Sequence, residues 1–492
     1  MSQISITNLT FAYEGSYDNI FEDVSFQIDT DWKLGFIGRN GRGKTTFLNL
    51  LLGKYKYQGT ISHNSCFTYF PFLVEDDTVD TLSIVENIYP NYVDWELFRE
   101  LSLLEIEPSV LYRPFYTLSS GEQTKVLLAT LFLKENSFLF IDEPTNHLDV
   151  RGRELVADYL NSKKGFILVS HDRHFLDGCI DHVLSINKAN IEVVQGNFSS
   201  WFIDKERQDN FEISENRKLK AEIRRFEKTA KEKASWSNKV EKTKYATKNS
   251  GIKPDRGYVG HKAAKMMKRS KVLQARQKKA VEEKSKLLKN IESAESLKIS
   301  QLDYHANQLV YLRDIAISYG DDTACQNVSF AIKKGDRIAL RGKNGSGKSS
   351  IIKLICGENI PYSGEFNIGN GLKISYVSQG TSFLSGSLSD FSRDNDIDES
   401  LFKAILRKFD FSRDQFSKNI SDFSGGQKKK VLIAKSLCEK AHLHIWDKPL
   451  NFIDVISRMQ IEELLLEFKP TILFVEHDSA FCENIATKTA WL

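Results

Sequence analysis

Two eight-residue stretches, GRNGRGKT at 38–45 and GKNGSGKS at 342–349, share the spacing G-x-x-x-x-G-K-[ST]. Glycines so spaced let successive backbone N–H groups curl round an anion, and the lysine reaches the β- and γ-phosphates of a nucleoside triphosphate. The hydroxyl that follows binds Mg2+, which assigns Thr45 and Ser349 to the metal. The candidate ATP-binding residues are therefore Gly38, Arg39, Asn40, Gly41, Arg42, Gly43, Lys44, Thr45 and Thr46 in one loop. In the other they are Gly342, Lys343, Asn344, Gly345, Ser346, Gly347, Lys348, Ser349 and Ser350. Later apolar runs end in Asp142 and Asp447, the acids expected beside such a metal. The next residue is placed to polarise an attacking water: Glu143 in FIDEPTNHLD (140–149), but Lys448 in HIWDKPLNFID (444–454). A lysine, with a reference pKa of about 10.4 and a triphosphate nearby, stays protonated and is a poor base. His171 and His477 each follow a further apolar run, where a ring reaches the γ-phosphate. Glu143, His171 and His477 are thus the candidate catalytic residues, and Lys448 is a degenerate catalytic position.

These residues recur because the chain repeats itself once. Residues 9–53 align with 315–357, 116–149 with 421–454, and 166–176 with 471–481. A unit of roughly 190 residues present twice is a duplicated domain rather than a solenoid. In each copy short apolar strands (KLGFIG, FLFID, FILVS) alternate with helical patterns, which predicts an α/β domain with a largely parallel sheet. The expected divisions are 1–200, 201–305 and 306–492.

The segment between the copies is different in kind. Residues 205–290 hold 27 Lys and Arg against 11 Asp and Glu, whereas the whole chain of 492 residues has a net charge of only +3. The excess of 16 positive charges is therefore local, and the remainder carries a net −13. Leu219, Ile223, Phe226 and Ala230 fall at helical spacing before the break NSGIKPDRGYVG (249–260), and Met266, Leu273, Ala280, Leu287 and Ala294 recur every seven residues after it. Two helices joined at a turn, a basic helical hairpin, are predicted. Such a hairpin matches RNA electrostatically, and aromatics or arginines near its turn suit base stacking. The candidate RNA contacts are Trp236, Lys239, Lys242, Lys244, Tyr245, Lys248, Lys253, Arg256, Tyr258, His261, Lys262 and Lys265. No apolar run approaches the length of a membrane span, and the start of the chain has no signal-peptide pattern. Six scattered cysteines without a C-x-x-C pair fit reduced thiols and a cytoplasmic setting.

LSSGEQ (118–123) and FSGGQ (423–427), taken with the two phosphate loops, strand-end acids and histidines, resemble the signature motifs of ABC-type ATPases. The resemblance implies two domains paired head to tail within one monomer, each ATP lying between one domain's loop and the other's signature. It adds Ser119, Ser120, Gly121 and Glu122, and Ser424, Gly425, Gly426 and Gln427, to the ATP-binding set. It also implies Tyr13 and Tyr319 against adenine and Gln379 on the metal, with Phe72 where the first copy would carry its glutamine. The layout, with EPTNHLD at 143–149 and a long linker, is similar to the ABC-F translation factors, and among them to the Vga/Lsa-type resistance members. That similarity implies binding to the bacterial ribosome at the tRNA exit site, contact with rRNA and P-site tRNA, and protection against lincosamides, pleuromutilins and streptogramin A. The alternatives are the energising subunit of a transporter, whose permease is encoded separately, and a DNA-repair ATPase. The first leaves the linker's length and charge unexplained, and the second usually carries zinc cysteines or much longer coiled coils, neither of which the sequence shows.

Overall fold

The apolar runs form the centre of a twisted sheet in each copy. The computed structural model describes residues 2–14, 19–134, 137–146, 148–186, 191–212, 256–285, 301–320, 322–343, 345–412 and 414–492, with isolated positions at 214, 215, 218, 225, 228, 232 and 235. Its strands are β1 Gln3–Phe11, β2 Phe21–Asp29, β3 Lys33–Gly38, β4 Gln58–Ser62, β5 Cys66–Phe70, β6 Ser137–Asp142, β7 Phe166–Val169, β8 His182–Ile186 and β9 Ile191–Gln195 in the first copy. In the second they are β10 Gln308–Tyr319, β11 Asp322–Lys333, β12 Arg337–Arg341, β13 Tyr362–Ile368, β14 Ile374–Val377, β15 Leu443–Asp447, β16 Ile472–Val475 and β17 Lys488–Trp491. The main sheets run β5-β6-β7-β3-β8-β9 and β14-β15-β16-β12-β17. All neighbours are parallel except β8 and β9. All four residues of β7 and of β16 are buried, as expected for central strands covered on both faces.

Parallel order is what assembles the site. Asp142 pairs with Val169 and Gly35 with Leu168, so β6, β7 and β3 end side by side. Asp447 pairs with Val475 and Ala339 with Phe474 in the same way. Loops leaving such adjacent C-terminal ends form the usual ligand crevice of an open α/β sheet.

Each copy also carries a three-stranded antiparallel sheet, β2-β1-β4 and β11-β10-β13, which the largely parallel expectation does not include. These sheets cover the helix that follows each phosphate loop, Lys44–Leu51 and Lys348–Ile355. Ile4, Phe11, Phe21, Phe47 and Phe140 share one core, and Val310, Ile317, Ile351, Ile355 and Ile445 share its counterpart.

The chain groups into two compact units, Met1–Ser199 with Ala294–Leu492, and Ser200–Ser293. Within the second unit the helix Arg256–Ser285 runs for 30 residues, roughly 45 Å at 1.5 Å per residue. It starts inside the segment read as a break, so Gly257 and Gly260 lie in its first turns. Met266 and Met267 are half-buried there, while Tyr258, His261, Lys262, Lys265, Lys268, Arg269 and Lys271 are exposed. The first seam (Leu219, Ile223, Phe226, Ala230) and the turn before Arg256 lie outside the described residues, as do Leu287 and Ala294. Among the described residues no helix is long and apolar enough to cross a membrane.

Candidate functional site

The two phosphate loops are built alike. Gly43 and Gly347 cap their helices in the left-handed region, at φ 93° and 83°. A Cβ at Gly43 would lie 2.6 Å from Ile20 Cγ2, and one at Gly347 would lie 2.7 Å from the Ala324 carbonyl oxygen. Glycine is required at both for conformation and for space. Lys44 Nζ donates to the Gly38 oxygen at 2.5 Å, and Lys348 Nζ to those of Gly342 and Lys343 at 2.9 and 2.6 Å. Burial lowers the pKa of both lysines, and Lys448 lowers that of Lys348 further. Tyr13 Oη and Thr46 Oγ1 are hydrogen-bonded at 2.8 Å, and Tyr319 Oη donates to Ser350 Oγ at 3.3 Å. Each half-exposed tyrosine therefore flanks the start of a phosphate-loop helix. Asn344 lies outside the described residues.

The strand-end acids share a position but not a partner. Asp447 Oδ2 accepts from Ser349 Oγ at 3.1 Å, while its Oδ1 is buried without a hydrogen bond. Asp142 Oδ2 accepts from Tyr69 Oη at 2.7 Å, and Thr45 is exposed at the start of the helix that follows its phosphate loop. Burial raises the Asp142 pKa. Tyr69 pairs with Phe140 and Tyr376 with Ile445. That register sets Phe72 and Gln379 equally far beyond β5 and β14, and Gln379 is exposed there.

Glu143 and Lys448 have the same backbone despite their different chemistry. Both are left-handed, at φ 51° and 46°. Glu143 N donates to the Val169 oxygen at 2.8 Å and Lys448 N to the Val475 oxygen at 3.0 Å. His171 Nε2 lies 3.2 Å from Glu143 Oε1, off the line of a hydrogen bond. Burial, reinforced by Asp142, pushes the Glu143 carboxyl up to about 8. Burial, then Lys44 and Arg458, holds the His171 imidazole well below its ordinary range. His477 is lowered to about 3 by burial and then by Lys448, and its Nε2 is buried without a hydrogen bond.

Each loop meets the opposite copy's helix start. Ser119 and Ser424 are N-caps with complete capping boxes, closed by Glu122 and Gln427. Gly426 packs on the Phe452 carbonyl and on Asn40 of the first loop, and Asn40 Nδ2 donates to that carbonyl at 2.6 Å. Gly425 stands against the Phe452 ring. On the other side Ser119, Ser120 and Gly121 face Lys343 across a cleft of about 650 Å3, with Asp149 beside them. The structure thus brings Lys44, Glu143 and His171 towards Ser424, Gly425 and Gly426, and places the second loop opposite the first copy's signature.

Several site residues were missed in the sequence. Asn40 N donates to Asp454 Oδ2 at 3.4 Å, and Lys430 Nζ lies 3.3 Å from the same oxygen. Burial opposes ionisation of Asp454, but Lys430 and His171 hold its carboxyl far below the carboxylate range. Arg153 Nη1 donates to the His477 oxygen at 3.3 Å, crossing between the copies. The signal was present: Asp149 and Asp454, like Arg153 and Arg458, stand at matched places in the repeat. Of the linker candidates, Tyr258, His261, Lys262 and Lys265 are exposed and Arg256 opens the helix. Trp236, Lys239, Lys242, Lys244, Tyr245, Lys248 and Lys253 lie outside the described residues.

A family model described as ABC transporter matches residues 21–146 and 325–451, half of the chain. The chain is 28% identical over 488 residues to the ribosome protection protein VmlR of Bacillus subtilis, covering 98% of this chain and 85% of that protein. It is 27% identical over 512 residues to the ATP-binding protein Uup of Buchnera aphidicola, covering 99% and 80%. Among solved structures it resembles archaeal ABCE1 in complex with the stalk protein aP1, with a TM-score of 0.60 at 19% identity, covering 94% and 84% of the two chains. The chain belongs to the ABC transporter family, and within it to the ABC-F ATP-binding proteins, as two ATPase domains in tandem.

Proposed function

We propose that this ABC-F ATPase is a ribosome protection factor with a single hydrolytic site. Domains at 1–200 and 306–492 would close on ATP, and the basic segment 201–305 would enter the tRNA exit site and reach the peptidyl-transferase centre. There it would contact rRNA and P-site tRNA and relieve inhibition by lincosamides, pleuromutilins and streptogramin A. The setting would be the bacterial cytoplasm. The observation that carries the reading is a 30-residue basic helix that lies in the sequence between two copies, one phosphate loop touching the opposite signature and the other facing it across a cleft. The similarity to VmlR supports it.

At the first site Lys44 would hold the β- and γ-phosphates and Tyr13 the adenine. Glu143 would orient a water and take its proton, while His171 fixes the γ-phosphate. Ser424 and the amides at its helix start would close the pocket. The buried, unpartnered Asp447 Oδ1 beside the Ser349 hydroxyl is a donor set that fits Mg2+. Thr45 with Asp142, and Ser349 with Asp447 and Gln379, would hold the ion, which when bound neutralises phosphate charge. At the second site Lys448 would draw in the γ-phosphate without activating water, so that ATP stays bound and favours closure.

The test is co-sedimentation. Chain locked with a non-hydrolysable ATP analogue should pellet with bacterial ribosomes at moderate salt, and chain with ADP should not. Failure of the ATP-locked form to pellet would remove the ribosomal reading.

A further inference from the structure

The first phosphate loop contains two arginines, Arg39 and Arg42, where the second has Lys343 and Ser346. Both arginines reach one carboxylate on the other copy. Asp410 Oδ2 lies 2.8 Å from Arg42 Nη2 and 3.3 Å from Arg39 Nη1. Asp410 follows the helix Glu399–Lys408 and is left-handed at φ 64°, in a tight turn closed by a hydrogen bond from Phe411 N to the Leu406 oxygen at 3.0 Å. That turn aims its side chain out of its own domain.

The first copy repeats the turn but not the contact. Glu105 follows the helix Asp94–Leu103, is left-handed at φ 51°, and precedes Ile106, whose N donates to the Leu101 oxygen at 3.0 Å. Its carboxylate pairs instead with Arg151 of its own copy at 2.9 Å. Glu105 and Lys343 both line the cleft of about 650 Å3 at the second site. The cross-copy grip therefore belongs to the loop whose site holds Glu143.

We propose that Asp410 is a positioning residue that clamps the phosphate loop of the hydrolytic site across the domain interface. It ties the loop's shape to closure of the two copies. With the domains apart, Arg39 and Arg42 lose this counter-charge and the loop loses its fixed geometry for the phosphates. Closure then primes the first site through Asp410, while the second keeps its cleft. The proposal rests on turnover occurring at the Glu143 site.

The experiment is steady-state ATPase kinetics of Asp410→Asn and Asp410→Glu beside Glu143→Gln, each with a thermal melt. Loss of a half-buried charge contact to two arginines should raise the KM for ATP in Asp410→Asn by about three- to tenfold, with kcat within about twofold. Asp410→Glu should recover most of the loss, and raising salt should increase the parent's KM more than the Asn variant's. Reversing the pair, Asp410→Arg with Arg42→Asp, should bring KM below that of Asp410→Arg alone. An unchanged KM in Asp410→Asn overturns the clamp. So does an equal fall in kcat and melting temperature in both the Asn and Glu variants, which marks a purely structural residue. Activity persisting in Glu143→Gln would instead fault the single-site reading, so the two failures are distinguishable.

Discussion

Glu143 and Lys448 occupy one backbone position in two copies, and that identity isolates their chemistry. A left-handed conformation costs a non-glycine residue roughly 1 kcal/mol or more, yet both hold it, and both donate their N–H to the neighbouring strand end. The turn that presents the side chain is thus intact on the second side; what is missing is a group able to take a proton. Glu143→Gln, nearly isosteric, should lower kcat by about 10²–10⁴ while leaving ATP binding in place. Substantial phosphate release by that variant would mean that Lys448 has not silenced its site. The converse change is the sharper check. Lys448→Glu in the Glu143→Gln background should restore measurable turnover, because His477 already stands at its matched place and Lys348 would lose a like-charged neighbour. No recovery in single-turnover phosphate release would place the second site's defect elsewhere, for instance at the cleft.

At the scale of elements, what was legible depended on how regular the pattern was. The central strands FLFID and FILVS are continuous apolar runs and read directly, and the phosphate loops follow their strands as expected. The antiparallel sheets did not read because their alternation slips. In β1 the buried residues are Ile4 and Ile6, then Leu9 and Phe11, with Asn8 left-handed and the register shifting between Ile6 and Leu9. In β10 Val310 and Leu312 give way to Ile315 and Ile317 at Asp314 in the same manner. A bulge of this kind re-aims one face of a strand and breaks period two. The cross-copy contacts of Asn40 and Arg42 join residues hundreds of positions apart, which spacing does not encode. One strand carries a polar residue that bears on stability. His444 in β15 is buried, hydrogen-bonded to Ser436 at 3.2 Å, and lowered by burial to about 4. Unfolded chain would bind a proton at about 6.5, so it takes up more protons than folded chain between those values. Stability should therefore fall as pH drops from about 6.5 to 4, by at most about 3 kcal/mol from this group. His444→Leu should flatten that part of the pH dependence in urea unfolding, and Ser436 would still accept from Trp446 Nε1 at 2.9 Å. An unaltered acid slope would assign the sensitivity to other groups.

For the whole molecule the decisive property is how charge is distributed. Residues 205–290 carry an excess of 16 positive charges and the remaining chain a net −13, so a polyanionic surface attracts one segment and repels the rest. On the proposed reading, a chain of nearly zero total charge would bind RNA through one part while its ATPase domains stay off the backbone. If phosphate contacts supply most of the affinity, binding should weaken linearly in log–log terms with salt, each contact contributing about 0.7–0.9 to the slope. Lys262, Lys265, Lys268 and Arg269 are exposed along the helix Arg256–Ser285. Replacing all four by Ala should weaken co-sedimentation of the ATP-locked chain with ribosomes and reduce the slope by up to about three. ATPase activity without ribosomes should be unaltered, since none of these residues belongs to a nucleotide site. A slope equal to the parent's would mean that this stretch does not neutralise phosphates, and the electrostatic account of the linker would fall even if the chain still bound ribosomes.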